Sequence, residues 1–441
     1  MSASGRTVLA VDLGATSGRV AAVTFDQRPP TVRVLYRFPV ADYVDPQGSV
    51  RWNLAHMLRH IRHGVGLGLQ DGPASSLAFD SWGVDYGLIS ASGQLIGDPH
   101  AYRSTRTAAW QQIAHRLGRR RLFDETGVLP QNFNSIFQLA VHDRREVSEA
   151  SAVLLFTNLL EFCFTGFVGT ERSLAGVSGM LELHGDDWAW QIVREAGIES
   201  RLLTTIFDAP RVIGDFLGTP IISIAGHDTA GAIMIAAPQA SEHAFISSGS
   251  TLVVGMRTDV PICTNKVFAA GLSNEPVADG RYALVKNIPG LRLLELCSRE
   301  LGFADVRDAT AAAAIADEVG QVIDVEADSL FETPRISDAV RLLAKMPDHV
   351  LPGSVIRILT RSLVTAVGNA LDSLEICKGI PINTVRIVGG GVRNGLFMEM
   401  LRDSCRRRVE IGPQEAAAIG NATQQAVAHG WFCSVEDALG I

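Results

Sequence analysis

A chain of 441 residues, 47% of them hydrophobic, is long enough for two sizeable cores, and its 42 glycines and 18 prolines are ordinary for a soluble α/β protein. The formal net charge of -8 gives no field that would draw nucleic acid or an anionic membrane surface, and no stretch reads as a secretory signal or a membrane span. The six cysteines (Cys163, Cys263, Cys297, Cys377, Cys405 and Cys433) make no short metal-type pair and no secreted disulfide pattern, so reduced thiols in a cytoplasmic setting are expected.

In chain order, residues 7–11 form an apolar strand that runs into Asp12-Leu13-Gly14-Ala15-Thr16-Ser17-Gly18-Arg19. Such a loop is rich in backbone N–H groups and suits an anion. A second strand and a hairpin through Asp26-Gln27-Arg28-Pro29-Pro30 follow. Residues 54–67 have helical spacing, residues 78–80 a strand pattern ending at Ser81-Trp82-Gly83-Val84-Asp85. The pattern predicts further helices at 108–117, 134–143 and 188–196, and a buried strand at 151–156. The arginine groups 119–121 and 406–408 read as solvated faces. After a strand at 221–225, His227-Asp228 opens an Ala/Gly-rich stretch to 237, read as a helix whose small side chains permit close approach.

The main boundary is placed near Pro238. Beyond it, Ala244-Phe245-Ile246 leads into a second glycine-bearing turn, Ser247-Ser248-Gly249-Ser250-Thr251. Helices are expected at 291–301 and, after the punctuation of Pro352-Gly353, at 354–376. A strand at 384–388 meets Gly389-Gly390-Gly391-Val392-Arg393-Asn394, and a helix starts near Gly395. Strand–turn–helix units recur in both halves. This points to two related α/β domains, 1–237 and 238–441.

Two phosphate-type turns on separate lobes, one carrying an acid and the other preceded by His227-Asp228, point to a nucleotide-dependent phosphotransferase. Asp12 is suited to organise a hydrated divalent cation, and Asp228 to accept a proton from a substrate hydroxyl. A strand-end cap or a structural ion pair is the competing role for each. Thr16, Ser17, Ser248 and Ser250 offer hydroxyls to phosphate.

The ordered set DLGATSGR, FDSWGVDYGLIS, IGDPHAYRSTRT, AGHDTAG, SSGS, LVKNIPGLRLL and VGGGVRN resembles the FGGY carbohydrate kinases, with most likeness to the family's rhamnulokinase branch, over residues 8–430 or so. The resemblance implies two actin/hexokinase-like (ribonuclease H-like) α/β domains flanking a catalytic cleft, the first mainly for sugar and the second mainly for nucleotide. It implies ATP and Mg2+, with Asp228 as catalytic base and Asp12 and Asp228 as metal-side acids. Gly14, Thr16, Ser17, Arg19, Ser248, Gly249, Ser250, Gly390, Gly391 and Asn394 would serve the nucleotide. Trp82, Gly83, Asp85, Arg103 and His227 would serve the sugar, Trp82 packing on an apolar sugar face and Asp85 and Arg103 bonding to hydroxyls. Core filling by Trp82 and a mutual Asp85–Arg103 pair are the structural alternatives.

The implied reaction is phosphorylation of the 1-hydroxyl of a deoxyketose, with L-rhamnulose as the lead, L-fuculose or another small ketose as the alternative, and a monomer or homodimer as the assembly. Some positions depart from the pattern. Ser250-Thr251 stands where threonine and tryptophan are expected, and Asn158-Leu159 where an acidic-aromatic pair is expected. A nucleotide-gated, sugar-responsive regulatory protein on the same fold is the alternative of a different class.

Overall fold

The structure is a computed structural model that describes residues 5–237, 242–347 and 349–440. The proposed boundary residue Pro238 lies outside the described residues. These residues fall into two compact units. The first holds the chain up to 237 together with Thr258–Ala283 and the segment from 417 onward; the second holds residues 242–257 and Leu284–Ala416.

The first unit is built on a six-stranded sheet. Its strands are β1 (Thr7–Leu13), β2 (Ser17–Thr24), β3 (Thr31–Pro39), β4 (Leu77–Ser81), β5 (Arg211–Phe216) and β6 (Thr219–Ser223), in the order β5-β6-β4-β1-β2-β3. β1, β2 and β3 form an antiparallel meander, and β4 lies parallel to β1 on its other side. From Val8 to Leu13 every residue of β1 is buried, as a central strand covered on both faces requires.

Each face has its own helix. Leu54–Asp71 covers one, opened by Asn53, whose side chain accepts from the His56 N–H, and it buries Leu54, Met57, Ile61 and Val65 at helical spacing. Ala416–Ala428 supplies Ala422 and Ala426 to the other, against Val8, Val23 and Phe25. Pattern alone stops the first helix at 67, where glycines thin the apolar stripe. The fold carries it to 71 because Gly64 and Gly68 let it approach the sheet: a Cβ on Gly64 would stand 2.6 Å from Val20 Cγ2, and one on Gly68 2.7 Å from Leu9 Cδ2. Packing overrides the weak propensity.

The second unit repeats the strand order. β7 (His243–Ser248), β8 (Thr251–Thr258), β9 (Tyr282–Pro289), β10 (Thr384–Val388) and β11 (Arg408–Ile411) run side by side as β9-β8-β7-β10-β11, with β7 antiparallel to β8 and β10 parallel to both β7 and β11. The central 3-2-1-4 order of the first sheet thus recurs. Both glycine-bearing loops therefore occupy one topological position, the hairpin between the first two strands of a sheet.

Three local expectations are corrected. The predicted helix at 134–143 is shorter, Ser135–Ala140, and a separate helix, Arg144–Glu149, follows it, capped by Asp143, which accepts from Arg145 N–H at 2.7 Å. Pro352-Gly353 does not precede the long helix but forms the first turn of Pro352–Lys378, where proline's missing N–H costs nothing. The segment 12–19 is mostly strand, since Asp12 and Leu13 end β1 and Ser17 starts β2, leaving Gly14–Ala15–Thr16 as the turn. The helix at 228–236 is as expected. Among the described residues no helix is long and apolar enough to cross a membrane.

Candidate active site

In the first unit, acidic residues converge at the carboxyl ends of the central strands. Asp12 and Asp80 are register partners on the parallel strands β1 and β4, so they lie side by side on one face. Both are 1% exposed. Across the hairpin, Arg19 is the register partner of Asp12 and holds its carboxylate with Nε at 3.0 Å and Nη2 at 3.2 Å. One oxygen of Asp80 accepts from Asn421 Nδ2 at 2.6 Å, while the other, also buried, has no hydrogen-bond partner among the described residues. Burial, with Asp12 beside it and Asp228 near, pushes Asp80 well above the ordinary carboxylate range.

Asp228 is the first residue of the helix Asp228–Ala236 and keeps 26% of its side chain accessible. Its Oδ1 accepts from Thr229 N–H at 2.6 Å and Thr229 Oγ1 at 3.2 Å. Desolvation raises its pKa above the usual value, opposed by those two bonds and by the Arg19 charge. His227 lies between acids, Nε2 at 3.7 Å from Asp228 and Nδ1 at 3.8 Å from Glu275, distances too long for hydrogen bonds. Burial lowers its pKa against the pull of Glu275, which leaves it neutral at pH 7.

The helix Ala416–Ala428 supports this cluster from below. Asn421 reaches Asp80, Gln425 bonds Asn421 at 2.7 Å and the Leu9 carbonyl at 3.0 Å, and Gln424 accepts from Ala225 N–H at 2.9 Å. Gly420 and Gly231 make the close approach possible, because a Cβ on Gly420 would stand 2.5 Å from the Gly231 carbonyl carbon.

On the expected sugar side, Trp82 is 7% exposed, stacked on Phe156 at 4.4 Å and tilted against Trp52 at 4.5 Å. Asp85 is fully buried. It accepts from the indoles of Trp52 (2.6 Å) and Trp82 (2.9 Å), from Tyr102 N–H (3.1 Å) and from Gln138 Nε2 (3.0 Å). An Asp85–Arg103 pair does not form: Arg103 pairs instead with Asp42 at 3.0 Å, donates to the Ala15 carbonyl and covers the Trp52 ring at 4.5 Å. Gly83 leaves room for the neighbouring imidazole, since a Cβ there would stand 2.9 Å from His227 Cδ2.

In the second unit, Ser248 is 1% exposed and donates its hydroxyl to the Val388 carbonyl at 2.5 Å, so the accessible groups of that turn are Gly249, Ser250 and Thr251. Gly389, with φ of +90°, and Gly391 lie against Ser248; a Cβ on Gly391 would meet Ser248 Oγ at 2.7 Å. Gly390 is exposed. Asn394 caps the helix Gly395–Ser404 by accepting from Phe397 N–H at 3.1 Å. The first unit gathers carboxylates near Asp228, and the second exposes Gly249 and Gly390 at its two turns.

Sequence reasoning missed Asp80, Glu275, Trp52, Gln138, Asn421 and Gln425. The first was legible as an acid inside an apolar strand, and Asn421, Gln424 and Gln425 as polar residues at helical spacing in an Ala-rich segment. Glu275 and Trp52 gave no local signal. A separate trio, His100, His142 and Glu146, places its ligand atoms within 4.8 Å of one another. They are already partnered by Ser49, Tyr86 and Arg51 respectively.

Beside the Arg19–Asp12 pair, the Asp80 oxygen that has no hydrogen-bond partner among the described residues is a donor of the type a hard divalent cation takes.

The N-terminal domain of the FGGY family of carbohydrate kinases matches residues 7–234, and the family's C-terminal domain matches residues 244–429. The chain belongs to the FGGY family of carbohydrate kinases, and its enzymatic class follows at that level. It is 29% identical to a rhamnulokinase of Bacteroides thetaiotaomicron over 439 residues, covering 96% of this chain and 90% of the relative. It is also 29% identical to a rhamnulokinase of Enterobacter sp. (strain 638), covering 98% and 91%. Among solved structures, the fold is similar to a gluconate kinase from Lactobacillus acidophilus (TM-score 0.78, 13% identity, covering 98% of this chain and 91% of that one). It is similar as well to a glycerol kinase from Plasmodium falciparum with ADP (TM-score 0.74, 14% identity, covering 99% and 92%).

Proposed function

We propose that this kinase transfers the γ-phosphoryl group of ATP to the 1-hydroxyl of a small deoxyketose, with L-rhamnulose as lead substrate and L-fuculose as the close competitor. The observation that carries the reading is the placement of Asp228: a desolvated carboxylate at a helix start, next to a neutral His227 and sharing a charged neighbourhood with Asp12, Asp80 and Arg19. The choice of sugar rests on the two rhamnulokinase relatives.

In this reading Asp228 accepts the proton of the acceptor hydroxyl as its oxygen attacks the γ-phosphorus, and the bond to the bridging oxygen breaks to release ADP. Asp12 and Asp80, with Asp228, would hold Mg2+, which supplies charge neutralisation for the phosphates when bound. The Gly14–Ala15–Thr16 turn and Ser17 in one unit, and Gly249, Ser250 and Gly390 in the other, offer backbone and hydroxyl donors to the nucleotide. Asp85, held by two indoles and Gln138, fixes the wall that carries Trp82 and Arg103.

Initial rates on L-rhamnulose, L-fuculose, L-ribulose, D-xylulose, glycerol and D-erythrulose, read with product mass and phosphate position, test this. The expected result is a deoxyketose turned over at least about tenfold more efficiently than glycerol, with phosphate on the 1-oxygen; differences of one methyl group are worth about 10–200-fold. Equal, weak turnover across the panel rejects the substrate reading.

A further inference from the structure

The backbone that enters Asp228 is clamped at successive atoms, mostly by side chains. Gly226 N–H donates to Glu171 Oε2 at 3.1 Å, and the Gly226 carbonyl accepts from Ser81 N–H at 2.9 Å and Thr157 Oγ1 at 2.8 Å. His227 N–H donates to Ser173 Oγ at 3.4 Å, and that hydroxyl donates to Glu171 Oε2 at 2.5 Å. Position 226 admits no side chain, because a Cβ there would stand 2.9 Å from Thr157 Cγ2. Both residues before Asp228 therefore hang, directly or through one hydroxyl, on a single carboxylate.

That carboxylate is itself over-determined. Glu171 is 2% exposed and also accepts from Ser173 N–H at 2.9 Å and Leu174 N–H at 3.3 Å. Its own N–H donates to Asn158 Oδ1 at 3.1 Å, and Asn158 Nδ2 donates to Glu161 at 2.9 Å. Burial pushes Glu161 up to about 8, so it is protonated at neutral pH and adds no second buried charge. Asn158, a departure from the family pattern, thus uses both ends of its amide, accepting from the Glu171 N–H and donating to the Glu161 carboxyl.

We infer that Glu171 is a positioning residue for phosphoryl transfer, fixing Gly226 directly and His227 through Ser173 so that Asp228 meets the acceptor hydroxyl in one orientation. The inference rests on the reading of Asp228 as base. Both oxygens of Glu171 face donors only, so an amide cannot replace it: in either flip of a glutamine, the NH2 group meets an N–H. A displacement of about 1 Å at the base is enough to cost on the order of 10²-fold in rate.

The test compares Glu171→Gln, Ser173→Ala and Asp228→Asn in the full-length enzyme. kcat and sugar KM are measured together with the ratio of ADP formed to sugar phosphate formed. The expected result for Glu171→Gln is a kcat lower by about tenfold or more with sugar KM within about threefold, and an ADP-to-product ratio above one as water competes for a misaligned site. Ser173→Ala, which removes only the hydroxyl link to His227, moves both readouts the same way by about threefold. Loss of activity that tracks loss of folded protein, with the ratio held at one in both variants, overturns the inference as a merely structural role. Wild-type behaviour of both variants beside an inactive Asp228→Asn overturns it alone. A fully active Asp228→Asn overturns the reading beneath it.

Discussion

At the scale of the residue, environment rather than identity separates the acids. Asp12 is neutralised by Arg19, Asp85 is spent on two indoles, a backbone N–H and an amide, and Asp228 is raised by desolvation with only Thr229 and Arg19 opposing. A base must be ionised to accept a proton, so a raised pKa moves the acid limb of activity upward from the ordinary carboxylate range: activity is full above that pKa and falls as pH drops through it. The kcat/KM profile of the wild type is expected to show this limb. Asp228→Asn should keep sugar binding and near-ultraviolet circular dichroism while single-turnover product formation falls by about 10² to 10⁴-fold, with no such limb. Near-normal turnover excludes the assignment.

At the scale of the element, two helices meet backbone to backbone. The helix Asp228–Ala236 crosses Ala416–Ala428 where Gly231 meets Gly420, and this crossing sets the height of Asp228 above the strand ends and of Asn421 beneath Asp80. Ordinarily alanine in a helix is favoured over glycine by about 1 kcal/mol. At Gly420 that gain is outweighed, because the added methyl has only backbone to displace, and overpacking costs about 1–3 kcal/mol or more. Gly420→Ala should therefore lower the melting temperature and impair activity together. Gly368→Ala, in the helix Pro352–Lys378 with nothing within 4 Å of the added carbon, should leave activity intact and raise stability by up to about 1 kcal/mol. Equal effects at the two sites would refute the crossing as the constraint.

At the scale of the molecule, the first unit is discontinuous in sequence. Its sheet face at Val8, Val23 and Phe25 is covered by Ala422, Ala426 and Phe432, and the buried polar chain from Ser76 through Gln425 to Asn421 and Asp80 is also completed from the C-terminal segment. A fragment of residues 1–237 leaves that apolar face bare and Asp80 without its donor. Expressed alone, it should show no cooperative unfolding and little amide protection, and should bind a hydrophobic dye; co-expression with residues 238–441 should restore both. A cooperative melt from the isolated fragment would show that the C-terminal cover is dispensable.

Much was decided by local sequence. Apolar runs and turn residues marked β1, β2, β7 and β10; the Ala/Gly-rich run after Asp228 announced a close-packed helix; and Asp12 and Asp228 stood out as acids at strand ends. These follow from short-range rules, the burial of short apolar runs between turn residues and the backbone freedom of glycine. Only the tertiary structure decided which acids become neighbours. Asp80 joins Asp12 through strand register, and Asn421, 341 residues further along the chain, supplies the donor for Asp80. Glu275 comes to flank His227, and Glu171 to hold Gly226, through long-range packing. Those partnerships depend on which surfaces bury each other and which buried donors then need acceptors. No window of neighbouring residues contains that information.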